Sequence, residues 1–160
     1  MKKTLLSIMT MAILASGSAS AAAVEKDITV EAKIITAIKV SKDNGRALDS
    51  VKMVYDPIKN DGHFSHVEKI KLSSIGGTKI KVSLREAFEM NDANNTKKFT
   101  DYKIDIDGEE LTHTGGTKTF VLANNKEFSG DLKIQAKQPV GAVDGDVYSG
   151  VLKLALEAEA

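Results

Sequence analysis

His63 and His66 stand three residues apart, with Asp61 just before them, and this is the nearest the chain comes to a metal-ligand spacing. Imidazole nitrogens and a carboxylate suit zinc, but a closed site takes four ligands and a catalytic one three plus an open position. The chain has no cysteine and no further histidine close by, so turn and surface roles are expected for these side chains. Asp105-Ile106-Asp107-Gly108 and Asp144-Gly145-Asp146 are rich in oxygen donors. Neither supplies the full ligand set with a distal glutamate that a calcium loop needs, and turn chemistry accounts for both. Glu109-Glu110 near His113 brings acid and base groups together, and reads best as a solvated hairpin edge. Gly76-Gly77-Thr78 and Gly115-Gly116-Thr117 do not continue into the Gly-Lys-Ser/Thr of a phosphate loop, and no G-x-S-x-G occurs. No residue is assigned to catalysis, to a cofactor or to a metal, and no enzyme is expected.

The elements that would have to position such groups are almost all β-strands. Apolar and polar residues alternate with a period of two in segment after segment. Ala37 to Ser41 is one such strand. Val51 to Tyr55 is another, ended by Asp56-Pro57 because proline cannot donate to a ladder. His66 to Ser73 and Lys79 to Leu84 turn Ile70, Leu72, Ile80, Val82 and Leu84 inward, with Gly76-Gly77 between them. Asn91 to Thr96 has no apolar face and is expected to be a loop, and Arg85 to Met90 has the composition of a helical turn. Phe99 to Ile106 followed by Asp107-Gly108 predicts a hairpin, since Asp-Gly supplies the positive φ angles of a type I′ turn, with Glu109 to Thr112 as the return strand. Thr117 to Leu122 and Leu132 to Ala136 follow. Val147 to Ala158 closes the pattern, with Leu152, Leu154 and Leu156 sharing a parity with Tyr148 and Gly150. Short strands at this spacing with turn signals between them predict an all-β, immunoglobulin-like sandwich.

The beginning of the chain has a different character. Lys2 and Lys3, the apolar run Leu5 to Ala15 and the small residues Gly17 to Ala23 make a secretory signal, too short in its apolar part to span a bilayer. Cleavage after Ala21 or after Ala23 fits, and Ala23 is preferred because it leaves a strand at the new terminus. Cutting there leaves 137 of 160 residues and removes two lysines and no acid, so 22 basic and 22 acidic residues become 20 and 22. That balance points to neither nucleic acid nor an anionic membrane surface, and the length suits one domain. With no cysteine in an exported chain, stability has to come from packing, from pairing with another molecule, or from both.

The first strand after the signal is Val24 to Ile34. Val24, Ile28, Val30, Ala32 and Ile34 share a face, interrupted only by Lys26, opposite Glu25, Asp27, Thr29, Glu31 and Lys33. A free terminus is usually poorly ordered unless tied down, so this strand needs a sheet to join. The pattern alone fits two placements equally: an ordinary first strand of the chain's own sandwich, or a strand given to another molecule.

The start VEKDITVEAKI, the segment VKMVYDP at Val51 to Pro57 and the ending YSGVLKLAL at Tyr148 to Leu156, in a chain without cysteine, resemble the major pilins of class 5 (alpha-type) fimbriae. These form the colonization factor antigen I group of the alternate chaperone-usher pathway. The resemblance implies an incomplete immunoglobulin-like sandwich, completed by a donor strand from the neighbouring subunit. Residues 1–23 would be the signal, 24–36 the donor extension and 37–160 the pilin domain. It further implies that Val24, Ile28, Val30, Ala32 and Ile34 plug the neighbour's groove. Leu152, Leu154 and Leu156 would line this subunit's own groove and form the strand with which a chaperone pairs, opposite the Ala37 to Val40 strand. The family pattern has a proline after the donor strand, whereas Ile35-Thr36-Ala37 continues without one.

Burying a large aliphatic side chain is worth roughly 1.5 to 3 kcal/mol, so Val24, Ile28, Val30 and Ile34 together would contribute about 6 to 12 kcal/mol. The implied protein is the shaft subunit of a surface fimbria that supports adhesion to host cells. Its implied partners are identical subunits joined head to tail, a periplasmic chaperone, an outer-membrane usher and a tip adhesin, with a host surface receptor as a further candidate. Other readings of the same residues are a self-contained secreted β-sandwich that binds a ligand, and a minor fimbrial or periplasmic accessory protein.

Overall fold

The computed structural model describes Thr29, residues 37–124 and residues 126–160. The signal segment and the alternating residues Val24, Ile28, Val30, Ala32 and Ile34 lie outside the described residues. Among the described residues eleven strands follow in order: β1 (Ile38–Lys42), β2 (Val54–Tyr55), β3 (His63–Ser74) and β4 (Lys79–Leu84) come first. Next are β5 (Asn91–Asp92), β6 (Thr100–Ile106), β7 (Glu109–Glu110) and β8 (Lys118–Val121). The last three are β9 (Glu127–Lys137), β10 (Tyr148–Ser149) and β11 (Leu154–Glu159).

All pairings are antiparallel. The larger sheet runs β1-β3-β9-β6-β7, with β2 on the same edge of β3 as β1, and the smaller runs β11-β4-β8. A separate two-stranded piece joins β10 to β5. The inward residues of both sheets form one core: Ile70 and Leu72 of β3, Leu132 and Ile134 of β9, and Ile104 and Ile106 of β6 meet Ile80, Val82 and Leu84 of β4 and Phe120 of β8. Alternation with a period of two on both layers is what a two-sheet sandwich requires. Asp107 and Gly108 have φ of 53° and 83°, so the β6–β7 connection is the predicted type I′ hairpin.

Several expected elements differ in extent. Only Val54 and Tyr55 of the expected Val51 to Tyr55 strand pair with β3; the residues before them leave the sheet edge. The expected Val147 to Ala158 strand is broken between Ser149 and Leu154. Here Gly150 passes so close to Glu89 that any Cβ would collide with its carbonyl oxygen. Asn91 and Asp92, expected in a loop, pair with Ser149 and Tyr148. The Arg85 to Met90 segment forms no helical turn, because Met90 gives its N–H to the Tyr102 hydroxyl at 2.8 Å and its carbonyl accepts from the Phe99 N–H at 3.0 Å. Burial of Tyr102 pushes its phenol above the usual range.

Candidate functional site: an open groove between two sheet edges

Each layer of the sandwich ends on a strand that pairs on one side only. β1 pairs with β3 and β11 with β4, and neither has a second β-partner among the described residues. The two edges lie on the same side of the domain, with a groove of about 850 Å³ between them. Val40 of β1 lines one wall; Leu152, Leu154 and Leu156 line the other. These leucines pack on the core yet stay half-exposed. The floor includes Leu132 and Ile134.

The length of the groove follows from strand register. Val40 is opposite Leu72 and Tyr55 opposite Phe64 on the same β3 edge, eight residues apart, which is about 26 Å. Between those two levels, residues 44–53 leave the edge and fold over the groove, so that Leu48, Val51 and Met53 face it. His66 anchors this excursion: its Nδ1–H donates to the Lys52 carbonyl oxygen at 2.9 Å. Its Nε2 is buried without a hydrogen-bond partner, 3.6 Å from the Glu68 carboxylate. Lys42 binds that carboxylate at 3.0 Å and holds its pKa below the usual range. At the far mouth, an aromatic ladder of Tyr55, Phe64, Phe99 and Tyr148 has ring centroids 5.1 to 5.5 Å apart in edge-to-face contact.

The other sequence candidates are occupied in ordinary ways. His63 and His66 alternate to opposite faces of β3, and His63 is held by Asp61 at 2.6 Å, a bond that lowers the Asp61 pKa. Asp105 accepts the Gly108 N–H. Asp146 accepts from the Val143 N–H, the Lys97 ammonium and the Tyr148 hydroxyl, and the first of these does most to depress its pKa. No cluster of His, Cys, Asp and Glu among the described residues is arranged to hold a metal.

Leu152, Leu154 and Leu156, which share a parity in the sequence, all line this cavity. Of the donor residues, Val24, Ile28, Val30, Ala32 and Ile34, none is described. The wall made by Leu48, Val51 and Met53, and the mouth made by Phe64, Val143 and Val147, were not legible as a site. Val51 and Met53 alternate as a strand in the sequence and Val147 begins another, but no local period shows that these residues face a groove.

A groove of this volume falls within the range of small-molecule sites. Its shape argues otherwise: among the described residues it is an open trough flanked by two unpaired strand edges, suited to an extended chain that adds main-chain hydrogen bonds to side-chain burial. Residues 24–157 match the family described as CS1 type fimbrial major subunit. No curated protein matches the chain in sequence at a significant level. Among solved structures, the CooA pilin subunit from enterotoxigenic Escherichia coli is similar in fold, with a TM-score of 0.59 at 20% identity, covering 75% of this chain and 86% of that one.

Proposed function

The chain belongs to the CS1 type fimbrial major subunit family and is a shaft subunit of a surface fimbria, built into filaments of identical copies; from that premise we propose that the groove is the acceptor site of donor-strand complementation. The observation that carries the reading is the open trough between β1 and β11, with Val40 on one side and Leu152, Leu154 and Leu156 on the other. An extended strand laid there would meet the free edge of β11 and cover the half-exposed leucines. Val24 to Ile34 of the next subunit fits by length, about 33 Å when extended, and by its alternating apolar face. Val24, Ile28, Val30, Ala32 and Ile34 enter the groove, and Ala32 faces its shallowest part.

The role is structural, with no catalytic step and no cofactor. Before assembly a periplasmic chaperone lends a strand to the same groove and pairs with the Leu152 to Leu156 strand. An outer-membrane usher then exchanges it for the neighbour's extension, and a tip adhesin ends the fibre, which supports attachment to host cells.

The test uses residues 24–160 expressed without partners. The expected result is a ladder of oligomers that resists denaturant, and its loss when Val24 to Lys33 are deleted. Val30→Asp should stop polymerisation while leaving capture by the chaperone intact, because it alters the donated strand and not the groove. A stable monomer from both the intact and the shortened chain would sink the proposal.

A further inference from the structure

β3 runs the length of the domain, and aliphatic side chains stand in water beyond both of its ends. Past Ser74, Ile75 is 72% exposed and donates its N–H to the Ala37 carbonyl at 3.1 Å. It therefore sits beside the point where the chain enters β1. At the opposite end of the strand, about 36 Å away, Ile58 in the β2–β3 turn is 93% exposed. The loop after β9 leaves Val140 fully exposed and Val143 at 65%. The two segments are tied together there, since the Gln138 N–H donates to the Gly62 carbonyl at 2.9 Å. Single exposed aliphatics are ordinary, but this group is continuous with the groove, whose mouth Val143 and Val147 line.

We propose that Ile75 of one subunit seats against the end formed by Ile58, Val140 and Val143 in the next copy, adding a contact between domain bodies to the strand link. The inference rests on the donor-strand reading. In that reading the extension leaves its own domain at Ala37, beside Ile75. The Val40 and Leu156 end of the acceptor's groove is where the acceptor's own extension departs. The Tyr148 end is therefore the mouth that faces the donating body. Three residue steps from Ile34 to Ala37 reach about 10 Å at full stretch, so the donating body is held against that mouth. Apolar surface at both ends then meets in each head-to-tail junction, a heterologous contact that repeats along the filament.

The absence of cysteine from the chain makes cross-linking a clean test. Chains carrying Ile75→Cys together with Ile58→Cys, Val140→Cys or Val143→Cys are assembled into filaments, oxidised mildly and boiled in detergent without reductant. A disulfide needs Cβ atoms about 3.5 to 4.5 Å apart, so at least one pair should give a covalent ladder that reduction collapses, while single-cysteine chains give no species beyond a dimer. Filaments of all three double variants that boil down to monomer overturn the contact and leave the patch to a partner outside the shaft. A second measurement does not depend on cysteine: filaments of Ile75→Glu should release monomer at a lower temperature than unsubstituted filaments, and an unchanged release temperature also overturns it. Failure of the unsubstituted chain to form filaments is a different outcome, which removes the donor-strand reading itself.

Discussion

At the scale of single residues, the groove's far mouth is held by carboxylates. Asp92 accepts the N–H groups of Thr96 and Lys97 on one oxygen, at 2.7 and 3.0 Å, and the Thr96 hydroxyl on the other. The Lys97 N–H is the largest cause of its lowered pKa, as the Val143 N–H is for Asp146. Both groups therefore bind protons more weakly folded than unfolded. Their contribution is present above the ordinary aspartate value of about 3.9 and is lost as pH falls through that value to the lower folded one. Stability of the subunit, followed as its urea midpoint, should be level near neutral pH and fall below about pH 4. The double variant Asp92→Asn, Asp146→Asn should start lower at neutral pH and show a shallower acid limb. The limb should not vanish, because Asp61 and Glu68 are depressed as well, by the His63 and Lys42 hydrogen bonds. An acid limb as steep in the double variant as in the parent would refute this assignment.

At the scale of elements, an unfilled edge predicts stabilisation by the strand that fills it. A peptide of residues 24–34, added at about 100 times its dissociation constant, should raise stability by about 2.7 kcal/mol and the melting temperature by about 10 °C. The peptide with Val30→Asp should have no effect, nor should the parent peptide on a Leu154→Asp subunit. A thermal shift with the Val30→Asp peptide equal to that of the parent would show that the register of the apolar face is misassigned. How much of this was legible in the sequence varied with how local the cause was. Lys79–Leu84 was readable residue for residue, because its alternation is uninterrupted and both neighbours only reinforce it. β9 (Glu127–Lys137) extends well upstream of the expected Leu132 to Ala136, through Gly130, a residue that weakens most strands. In the structure Gly130 lies under the Phe128 ring, where a Cβ would come within 2.8 Å of ring atoms, so the glycine lets the strand continue. The break at Gly150 and the pairing of Asn91–Asp92 with β10 depend on segments dozens of residues apart and leave no local period. For the groove, the leucine wall was legible by parity, while the opposing Leu48–Met53 wall belongs to an excursion fixed by His66 and Lys52, a contact between residues 14 apart.

At the scale of the whole molecule, each copy carries one groove and, in the proposed scheme, one extension, so every junction joins unlike surfaces and growth has a direction. A closed symmetric dimer would use one self-complementary patch twice and stop, whereas a head-to-tail contact continues until a defective copy arrives. Two defects are available, and they act on opposite ends of the filament. In the proposed scheme a chain lacking Val24 to Lys33 accepts a strand but cannot give one, and a Leu154→Asp chain gives a strand but cannot accept one. Mixed into parent subunits at about 5%, either should limit mean length to about 20 subunits, since each incorporated defect ends growth in its direction. The Val30→Asp chain should act as the truncated one does, because its groove is intact. Lengths measured by electron microscopy should fall in inverse proportion to the dopant. Reductant should leave them unchanged, because the chain has no cysteine. Lengths independent of both dopants would mean that the groove and the extension do not meet in the fibre. Shortening by the truncated chain but not by Leu154→Asp would keep the extension and move its acceptor away from the Leu152 to Leu156 wall.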